Sequence, residues 1–510
     1  MTIPIGAPST AGPGGLDESA PDPPGPVSAL LALAFLATPV DTLVIGILAD
    51  PPSLAPHRAS DFVSAAVVVN VCETLVRLHP GGSRPEPALA TTWASLDRRA
   101  WTFTLRKGVR FHDGTLLDAD AVVANLENLR LKRGFPGRAE RVGPYVVSIT
   151  LDRPSAALLA TLSQPFFSLQ SPRQLAAGDD APVGTGPYRL GAVRPGLLEL
   201  LANADYWGGA PRLKRLVFRR LADEEDLAAA LLAGDVDVTS ALGQDRLATL
   251  HRHPEITLDS QTGLNLAFLS INNEHPPFGD RRVRQALARA VDRRALVNRL
   301  LGGHGEPAQN PLPPSLFGYG TRTKELILDR PAARRLLAEA GFPAGFETTL
   351  MAVNSPRPYM PAPLRLAAEI REDLLQVGIR ARLREVPTWS EYVERGSRGD
   401  YDLAILGWQA DTADPNDFLS ALLASEAIGT TNRSRYRSPD MDALLKRGRM
   451  GGDPEARLSV YHEAQELFQR DMPWVPLYHV SVFTAYRRVV RGLTVGPTGI
   501  LRFDKTWKRD

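Results

Sequence analysis

The alternation of helix and strand patterns in the second half of the chain constrains the fold more than any other feature of the sequence. The segment PLRLAAEIREDLLQVGI, which begins at Pro363, has apolar residues at helical spacing, and the strand pattern RARLREV follows it. A second apolar strand pattern, YDLAILGW from Tyr401, ends in Gly407-Trp408. Helices that alternate with buried strands predict an α/β fold. The residues expected on the buried helical stripe are Leu366, Ile370, Leu374 and Val377.

An acidic cluster, QADTADPND, directly follows the second strand pattern. Ligands of open α/β sheets usually bind outside the carboxyl ends of the strands, which makes these aspartates candidates for a site. For Asp414 and Asp417 the favoured interpretation is structural, because Asp and Asn commonly form turns and cap helices. Asp411 precedes the turn and lies close to Trp408 in sequence. It is therefore the stronger candidate for contact with a ligand.

Length and charge narrow the class of protein. A chain of 510 residues with 44% apolar residues can form two or three domains with large cores. Its 59 basic and 57 acidic residues leave a formal charge of only +2, which argues against a nucleic-acid-binding protein. The most basic segment, RRVRQALARAVDRRALVNRL from Arg281, has helical apolar spacing. We expect it to form one helix with a solvated arginine face.

Motifs typical of enzymes are absent from the sequence. It contains no G-x-S-x-G, no Walker loop and no H-E-x-x-H, so we expect a protein that is not an enzyme and has no cofactor or metal. An acid–base site formed by Asp411, Asp414 and His479 is conceivable, but no motif places these residues together. Cys72 is the only cysteine, which excludes an intrachain disulfide. Its apolar surroundings predict a buried thiol.

The amino-terminal 40 residues differ from the rest of the chain. Residues 1–26 are rich in Gly, Pro, Ser and Asp, a composition typical of disorder. The run VSALLALAFLA at 27–37 is too short to span a bilayer but fits the apolar core of a secretory signal. No Lys or Arg precedes Arg58, so the usual positive flank is missing. An initiation site near Val27, an atypical export route and an ordinary disordered tail all remain open, and no cysteine follows the run where a lipid anchor would attach.

Four further segments carry a family resemblance. They are WTFTLRKGVRFHDGT from Trp101, PVGTGPYRL from Pro182, NADYWGGAPRLKRLVFR from Asn203 and LSINNEHPPFGDRRVRQALARAVDR from Leu269. In this order and spacing they resemble the family 5 solute-binding proteins of ABC importers, which include dipeptide-, oligopeptide- and nickel-binding proteins. The resemblance extends from about Asp41 to Phe503.

The resemblance implies a two-lobed periplasmic-binding-protein fold (class II, cluster C type) with an extra domain inserted in the first lobe. Residues 1–40 would be a disordered tail with a degenerate signal segment. The expected boundaries are 41–76 with 184–300 and 488–510 for lobe I, 77–183 for the inserted domain, and 301–487 for lobe II.

The resemblance also implies a function and a binding site. The protein would be a monomeric periplasmic receptor that passes a dipeptide or short oligopeptide to an ABC permease, whose separate ATPase subunit would account for the missing Walker loop. Gly407, Trp408 and Asp411 match the G-W-x-x-D segment whose aspartate bonds the amino group of a peptide. In MAVNSPRPYMPAP, Arg357 with Tyr359 beside it matches the segment whose arginine holds the carboxylate. A rigid loop that merely exposes Arg357 between two prolines is the alternative.

Two expectations can be compared directly with a structure. Asp411 and Arg357 should face one cleft with their charged groups roughly 10 to 14 Å apart, the length of a two-residue ligand with a hydrogen bond at each end. Trp101, Phe103 and Leu105 should share one buried strand face. The alternatives for the ligand are a nickel complex, glutathione, haem, an opine or a sugar, and the alternative for the class is a cytoplasmic ligand sensor.

Overall fold

The computed structural model describes residues 39–509, apart from positions 81, 83, 179, 321, 411, 452, 453 and 497. The predicted tail, residues 1–40, therefore lies outside the described residues except for Pro39 and Val40, which are exposed. In the described part of the chain, no helix combines the length and the apolar character that crossing a bilayer requires.

The strands are numbered here in chain order. They are β1 (Thr42–Ile47), β2 (Val76–Leu78), β3 (Pro85–Pro87), β4 (Ala90–Ala94), β5 (Ala100–Leu105), β6 (Gly137–Gly143), β7 (Val146–Leu151), β8 (Tyr188–Arg194), β9 (Leu197–Ala202), β10 (Arg215–Arg220), β11 (Val238–Thr239), β12 (Ile256–Thr262), β13 (Asn265–Ile271), β14 (Gly305–Pro307), β15 (Phe346–Val353), β16 (Ile379–Val386), β17 (Leu403–Gln409), β18 (Trp474–Arg487), β19 (Val490–Arg491), β20 (Thr494–Val495), β21 (Leu501–Arg502) and β22 (Trp507–Lys508).

The α-helices are numbered in the same way, and short 3-10 helices lie at Pro56–Arg58, Pro165–Phe167 and Ser425–Ala427. The α-helices are α1 (Phe62–Val71), α2 (Ala119–Arg133), α3 (Leu158–Leu162), α4 (Pro172–Ala177), α5 (Glu224–Ala233), α6 (Gln244–His251), α7 (Arg281–Ala290), α8 (Arg293–Leu301), α9 (Arg330–Glu339), α10 (Pro363–Leu375), α11 (Trp389–Arg398), α12 (Pro415–Leu423), α13 (Pro439–Met450) and α14 (Pro454–Asp471).

The largest sheet has a mixed order, β16-β15-β17-β13-β18-β11-β1-β10-β9-β8, with β12 and β14 also paired to β18. Its second-half strands confirm the α/β prediction, because the helix α10 lies between the parallel strands β15 and β16. The long strand β18 belongs to both halves of the sheet. Its first residues pair with β13, and its last residues pair with β11 and β12.

A separate four-stranded sheet, β4-β5-β7-β6, lies within residues 90–151. Along β5 the side chains alternate between exposed and buried positions, and Trp101, Phe103 and Leu105 are the buried ones. The expected shared face is therefore confirmed. The Trp101 and Phe103 rings are stacked with their centroids 6.4 Å apart.

The buried stripe predicted for α10 is confirmed for Leu366, Ile370 and Leu374, which are fully buried. Val377, the fourth predicted member, is also buried but lies beyond the end of the helix at Leu375. They belong to a core that extends from Leu264 to Val480. The division between lobes at residue 300 stays a prediction, and this core continues across that position.

The basic segment from Arg281 does not form the single solvated helix that its pattern suggested. Helix α7 ends at Ala290, and α8 begins at Arg293 after Asp292, whose side chain accepts from the amide of Ala295 at 2.9 Å. Arg293 is buried, and so is Arg284, which was expected on the solvated face. Arg284 donates to the backbone carbonyls of residues 278, 279, 471 and 472. Backbone acceptors distant in sequence thus satisfy a buried guanidinium.

The turn in the segment PVGTGPYRL needs its glycines for close packing. A Cβ atom at Gly184 would stand 2.2 Å from the carbonyl oxygen of Val71, and one at Gly186 would stand 2.7 Å from the same atom. Cys72, which follows the helix, is buried as expected. The turn is thereby held against the end of α1.

Candidate ligand-binding site

The parallel strands β15 and β17 stop pairing toward their carboxyl ends. Among the described residues, their register pairs only Leu350 with Leu403 and Met351 with Ala404. Beyond these pairs the buried Tyr392 of α11 bridges the two strands. Its hydroxyl lies 2.6 Å from the carbonyl oxygen of Ile405 and 3.2 Å from that of Met351. Separated carboxyl ends of neighbouring strands are the usual place for a ligand in such sheets.

Two of the predicted site residues meet beside the end of β17. The ring of Tyr359 lies against Gly407 of β17, so that a Cβ atom at position 407 would stand 2.2 Å from Cδ2 of the tyrosine. Burial raises the pKa of the Tyr359 hydroxyl, and the positive charges of Arg357 and Arg433 oppose that shift. Both arginines therefore lie close enough to Tyr359 to act on it.

Arg357, the predicted partner for a carboxylate, is partly buried in a tight loop. Its amide donates to the carbonyl of Met360 at 3.0 Å, and the reverse bond is 2.8 Å long. The guanidinium carbon lies 4.0 Å from the centroid of the Trp389 ring, and Nε is buried without a hydrogen-bond partner. No carboxylate among the described residues forms an ion pair with it. A stacked, unpaired guanidinium presents a planar donor group to an incoming carboxylate.

Trp408 and the acidic loop are joined through Asp417. The indole Nε1 of Trp408 donates to Oδ1 of Asp417 at 3.3 Å. The other carboxylate oxygen accepts from the amide of Thr412 at 2.7 Å and from its hydroxyl at 3.1 Å. Asp411 lies outside the described residues, so its predicted separation from Arg357 stays a prediction. Thr412 and Trp408, on either side of it in sequence, are both held by Asp417.

Asp414 has the structural role that its turn pattern predicted. Its side chain caps α12 by accepting from the amide of Asn416 at 3.0 Å. Both carboxylate oxygens also lie 2.8 Å from Nη2 of Arg457, in a buried ion pair that the sequence pattern did not indicate. A partner 43 residues away leaves no local signal.

His479, weighed above as an acid–base residue, is fully buried in β18. Its Nδ1 donates to the carbonyl of Asn265 at 2.6 Å, and burial lowers its pKa to about 4. Asp414 contacts Arg457 instead. Within the described residues, no group of three or more His, Cys, Asp or Glu side chains could hold a metal ion.

A cavity with a volume of about 870 Å³ adjoins the acidic loop. This volume lies in the range of small-ligand pockets. Its wall combines side chains from the four-stranded sheet with others from the second half of the chain. Among the lining residues are Trp93, Trp101, Leu159, Phe317, Ala413 and Asp414.

Comparison with known protein families gives one match that covers most of the chain. The model described as bacterial extracellular solute-binding proteins, family 5 (middle), matches residues 84–430.

Individual relatives match over nearly their whole length. Heme-binding protein A of Haemophilus influenzae is 33% identical over 485 residues, which cover 88% of this chain and 88% of the relative. Di/tripeptide-binding protein 1 of Pseudomonas aeruginosa is 30% identical over 482 residues, covering 87% and 89%. The structure of HbpA2 from Haemophilus parasuis superposes with a TM-score of 0.88 at 30% identity, covering 92% of this chain and all of that one.

Proposed function

We propose, from the premise that this chain belongs to the family 5 bacterial extracellular solute-binding proteins, that it is a receptor which captures a dipeptide or short oligopeptide for import. Relatives named as di/tripeptide-binding proteins support a peptide ligand. A solved relative described as an ABC transporter-associated periplasmic binding protein, in complex with a peptide, supports the location and the partner. The receptor would act as a monomer in the periplasm and deliver its ligand to an ABC permease with separate ATPase subunits.

Arg357 is the observation that carries the peptide proposal. An isolated guanidinium that is partly buried loses hydration, and an opposite charge must compensate for that loss. Among the described residues, an aromatic ring at Trp389 contacts the guanidinium and no acid pairs with it. A peptide supplies the missing acid as its terminal carboxylate. Asp411 would hold the amino group at the other end.

The backbone near Gly407 would bind the middle of the peptide. β17 continues to Gln409 beyond the last pair formed with β15, and its partly exposed residues 407–409 would pair with an extended chain. Hydrogen bonds to backbone atoms do not depend on the side chains of the peptide. An extended residue spans roughly 3.3 to 3.6 Å, so two charges at fixed separation would select ligand length.

Closure of two lobes would give transport its direction. We propose lobes with the boundaries given above and a ligand that contacts both of them. A ligand that makes more contacts in the closed form shifts the equilibrium toward that form, and the permease would recognise it. No bond in the ligand changes in this cycle.

Calorimetry with end-blocked dipeptides tests the proposal. Ala-Phe, its amidated form and its N-acetylated form would be titrated into the wild type, Arg357→Ala and Asp411→Ala. We expect Arg357→Ala to cost roughly 2 to 5 kcal/mol for Ala-Phe, because the ligand carboxylate is left unpaired. Amidation should weaken binding to the wild type by a similar amount and change little in Arg357→Ala. Acetylation should follow the same pattern with Asp411→Ala.

The matched control is Arg382→Ala, which removes an exposed arginine from β16 and should leave the affinity unchanged. If blocking the termini and both site substitutions leave the affinity unaltered, the two-ended site does not exist. Mass spectrometry of the small molecule that co-purifies with the native protein is a second test. A metal complex, haem or sugar there would replace the peptide proposal and leave the family membership intact.

A further inference from the structure

Arg433 is a second arginine, after Arg357, that forms no ion pair with an acidic side chain among residues 39–509 as described. It follows the 3-10 helix at Ser425–Ala427, and its carbonyl accepts from the hydroxyl of Tyr401 at 2.6 Å. Its aliphatic part crosses α11 at Gly396. A Cβ atom at position 396 would stand 2.8 Å from Cδ of Arg433 and 3.4 Å from Nε.

Gly396 is informative because glycine is a poor residue for the interior of a helix. It costs about 1 kcal/mol relative to alanine there. Helix α11 continues to Arg398, and Gly396 is buried within it. The missing side chain makes room for Arg433, so the sequence accepts a weaker helix at the point where the arginine passes.

The charge of Arg433 has no partner within the described chain. Its Nε is buried without a hydrogen-bond partner, and burial lowers the pKa of the guanidinium. The titratable groups close enough to act on that pKa are the hydroxyls of Tyr401, Tyr359 and Tyr392, none of them a carboxylate. The buried guanidinium of Arg457, by contrast, pairs with Asp414, and that of Arg284 donates to backbone carbonyls.

Arg433 packs against the same helix as Arg357. It crosses α11 at Gly396, and the Arg357 guanidinium stacks on Trp389, the first residue of that helix. The charges of both Arg433 and Arg357 act on the hydroxyl of Tyr359, whose ring covers Gly407. These two cations have no acidic partner in the part of the chain that the structure describes, and a single terminal carboxylate would neutralise only one of them. The local charge balance therefore calls for a ligand with a second negative group.

We propose that Arg433 forms a second anionic subsite, so that the favoured ligands are short peptides with an acidic side chain in addition to the terminal carboxylate. The proposal rests on the peptide function, with Arg357 at the terminal carboxylate and Arg433 at the side-chain carboxylate. An arginine can form two parallel hydrogen bonds with the second carboxylate. A side-chain amide of the same shape cannot replace the carboxylate in this pairing. The receptor would then select among dipeptides by charge.

The test compares Ala-Glu with Ala-Gln, which differ by one charge at nearly constant shape. Calorimetry on the wild type should show at least about tenfold tighter binding of Ala-Glu. In Arg433→Gln that preference should disappear, with the affinity for Ala-Gln within about twofold of the wild-type value. Arg433→Lys should keep part of the preference for Ala-Glu, because lysine retains the positive charge but lacks the paired donors of the guanidinium.

A melting temperature and a control variant separate a binding role of Arg433 from a structural one. Removing an uncompensated charge should leave the melting temperature of Arg433→Gln at or above that of the wild type, whereas a structural arginine would lower it. Arg435→Gln is the matched control. Arg435 is paired with Glu274, and its substitution should leave the Ala-Glu preference intact.

The outcomes distinguish this proposal from the peptide function. If the wild type binds both dipeptides equally, or if Arg433→Gln weakens both to the same degree, the second subsite is wrong and the peptide function stands. If neither dipeptide binds, the peptide function fails, and glutarate then tests the subsite. A melting shift by glutarate that Arg433→Gln abolishes supports an anionic subsite for a non-peptide dicarboxylate, and an equal shift in both proteins overturns it.

Discussion

Tyr359, in the loop after β15, and Gly407 of β17 are in direct contact. The space that a Cβ atom would need at position 407 is taken by the tyrosine ring, at 2.2 Å, and by the carbonyl oxygen of Leu266, at 2.7 Å. The aromatic ring and the strand therefore fit together only because residue 407 has no side chain. This contact holds Tyr359 of the MAVNSPRPYMPAP segment against Gly407 of the G-W-x-x-D segment.

Gly407→Ala should destabilise the protein. Overpacking of a tight contact typically costs about 1 to 3 kcal/mol, and we expect a value in this range from chemical denaturation. Gly143→Ala is the control, because the nearest atom to a Cβ there is 3.9 Å away, in Val146. If the cost is the same with Tyr359→Ala in the background, the ring does not limit the space.

Asp417→Ala should loosen the acidic loop and weaken dipeptide binding without removing a ligand contact. The substitution deletes the acceptor for the amide and hydroxyl of Thr412 and for the indole of Trp408. Hydrogen bonds to a charged acceptor contribute about 1.5 to 3 kcal/mol, so we expect affinity for Ala-Phe to fall at least about tenfold.

Hydrogen exchange in the ligand-free protein tests whether Asp417 orders the loop, because the loss of a ligand contact alone would not change the exchange rate. The Thr412 amide should exchange faster in Asp417→Ala in the absence of ligand, since its bond to the carboxylate is lost. Asp120→Ala is the control, a first-turn aspartate of α2 whose partner is Arg141. Unchanged exchange at Thr412 would show that Asp417 does not order the loop.

Asp414→Asn should be strongly destabilising although asparagine also caps helices well. The change leaves the buried charge of Arg457 without its carboxylate, and breaking such a pair costs roughly 3 to 5 kcal/mol. Asp223→Asn makes the same change at the exposed cap of α5, where we expect a cost within about 0.5 kcal/mol. Equal costs at the two caps would mean that the ion pair contributes nothing. Guanidinium denaturation of both variants decides between these results.

His479 should make stability depend on pH below neutrality. Its pKa is about 4 in the folded protein and 6.5 when exposed, so the unfolded chain binds a proton between these values and the folded chain does not. The contribution is fully present above pH 6.5 and is lost as the pH falls toward 4. Between pH 7 and pH 5 the loss should be about 2 kcal/mol.

His479→Asn keeps a donor for the carbonyl of Asn265 and removes the titration. Denaturation at pH 7 and pH 5 should therefore show a smaller pH effect in this variant than in the wild type. His251→Asn, at the exposed end of α6, should retain the wild-type difference. A pH effect that is identical in His479→Asn and the wild type would contradict the assignment.

Local sequence patterns determined much of the secondary structure of this protein and which side chains face its core. The alternation of Trp101 with Phe103 predicted a strand with one buried face, and the spacing of Leu366 and Ile370 predicted the core side of a helix. Asp414 was correctly expected at a helix cap. Such patterns work because the geometry of a strand or helix places residues two, three or four positions apart on one face, whatever the rest of the chain does.

Only the tertiary structure decided which distant groups meet. Nothing local indicates that Arg457 neutralises Asp414, that Arg433 crosses α11 at Gly396, or that Arg284 is buried among backbone carbonyls. In the helical pattern of the sequence, nothing distinguishes Arg284 from an arginine on a solvated face. Burial and charge pairing depend on which elements pack together, and that packing follows from the free energy of the whole core rather than from the period of any one segment.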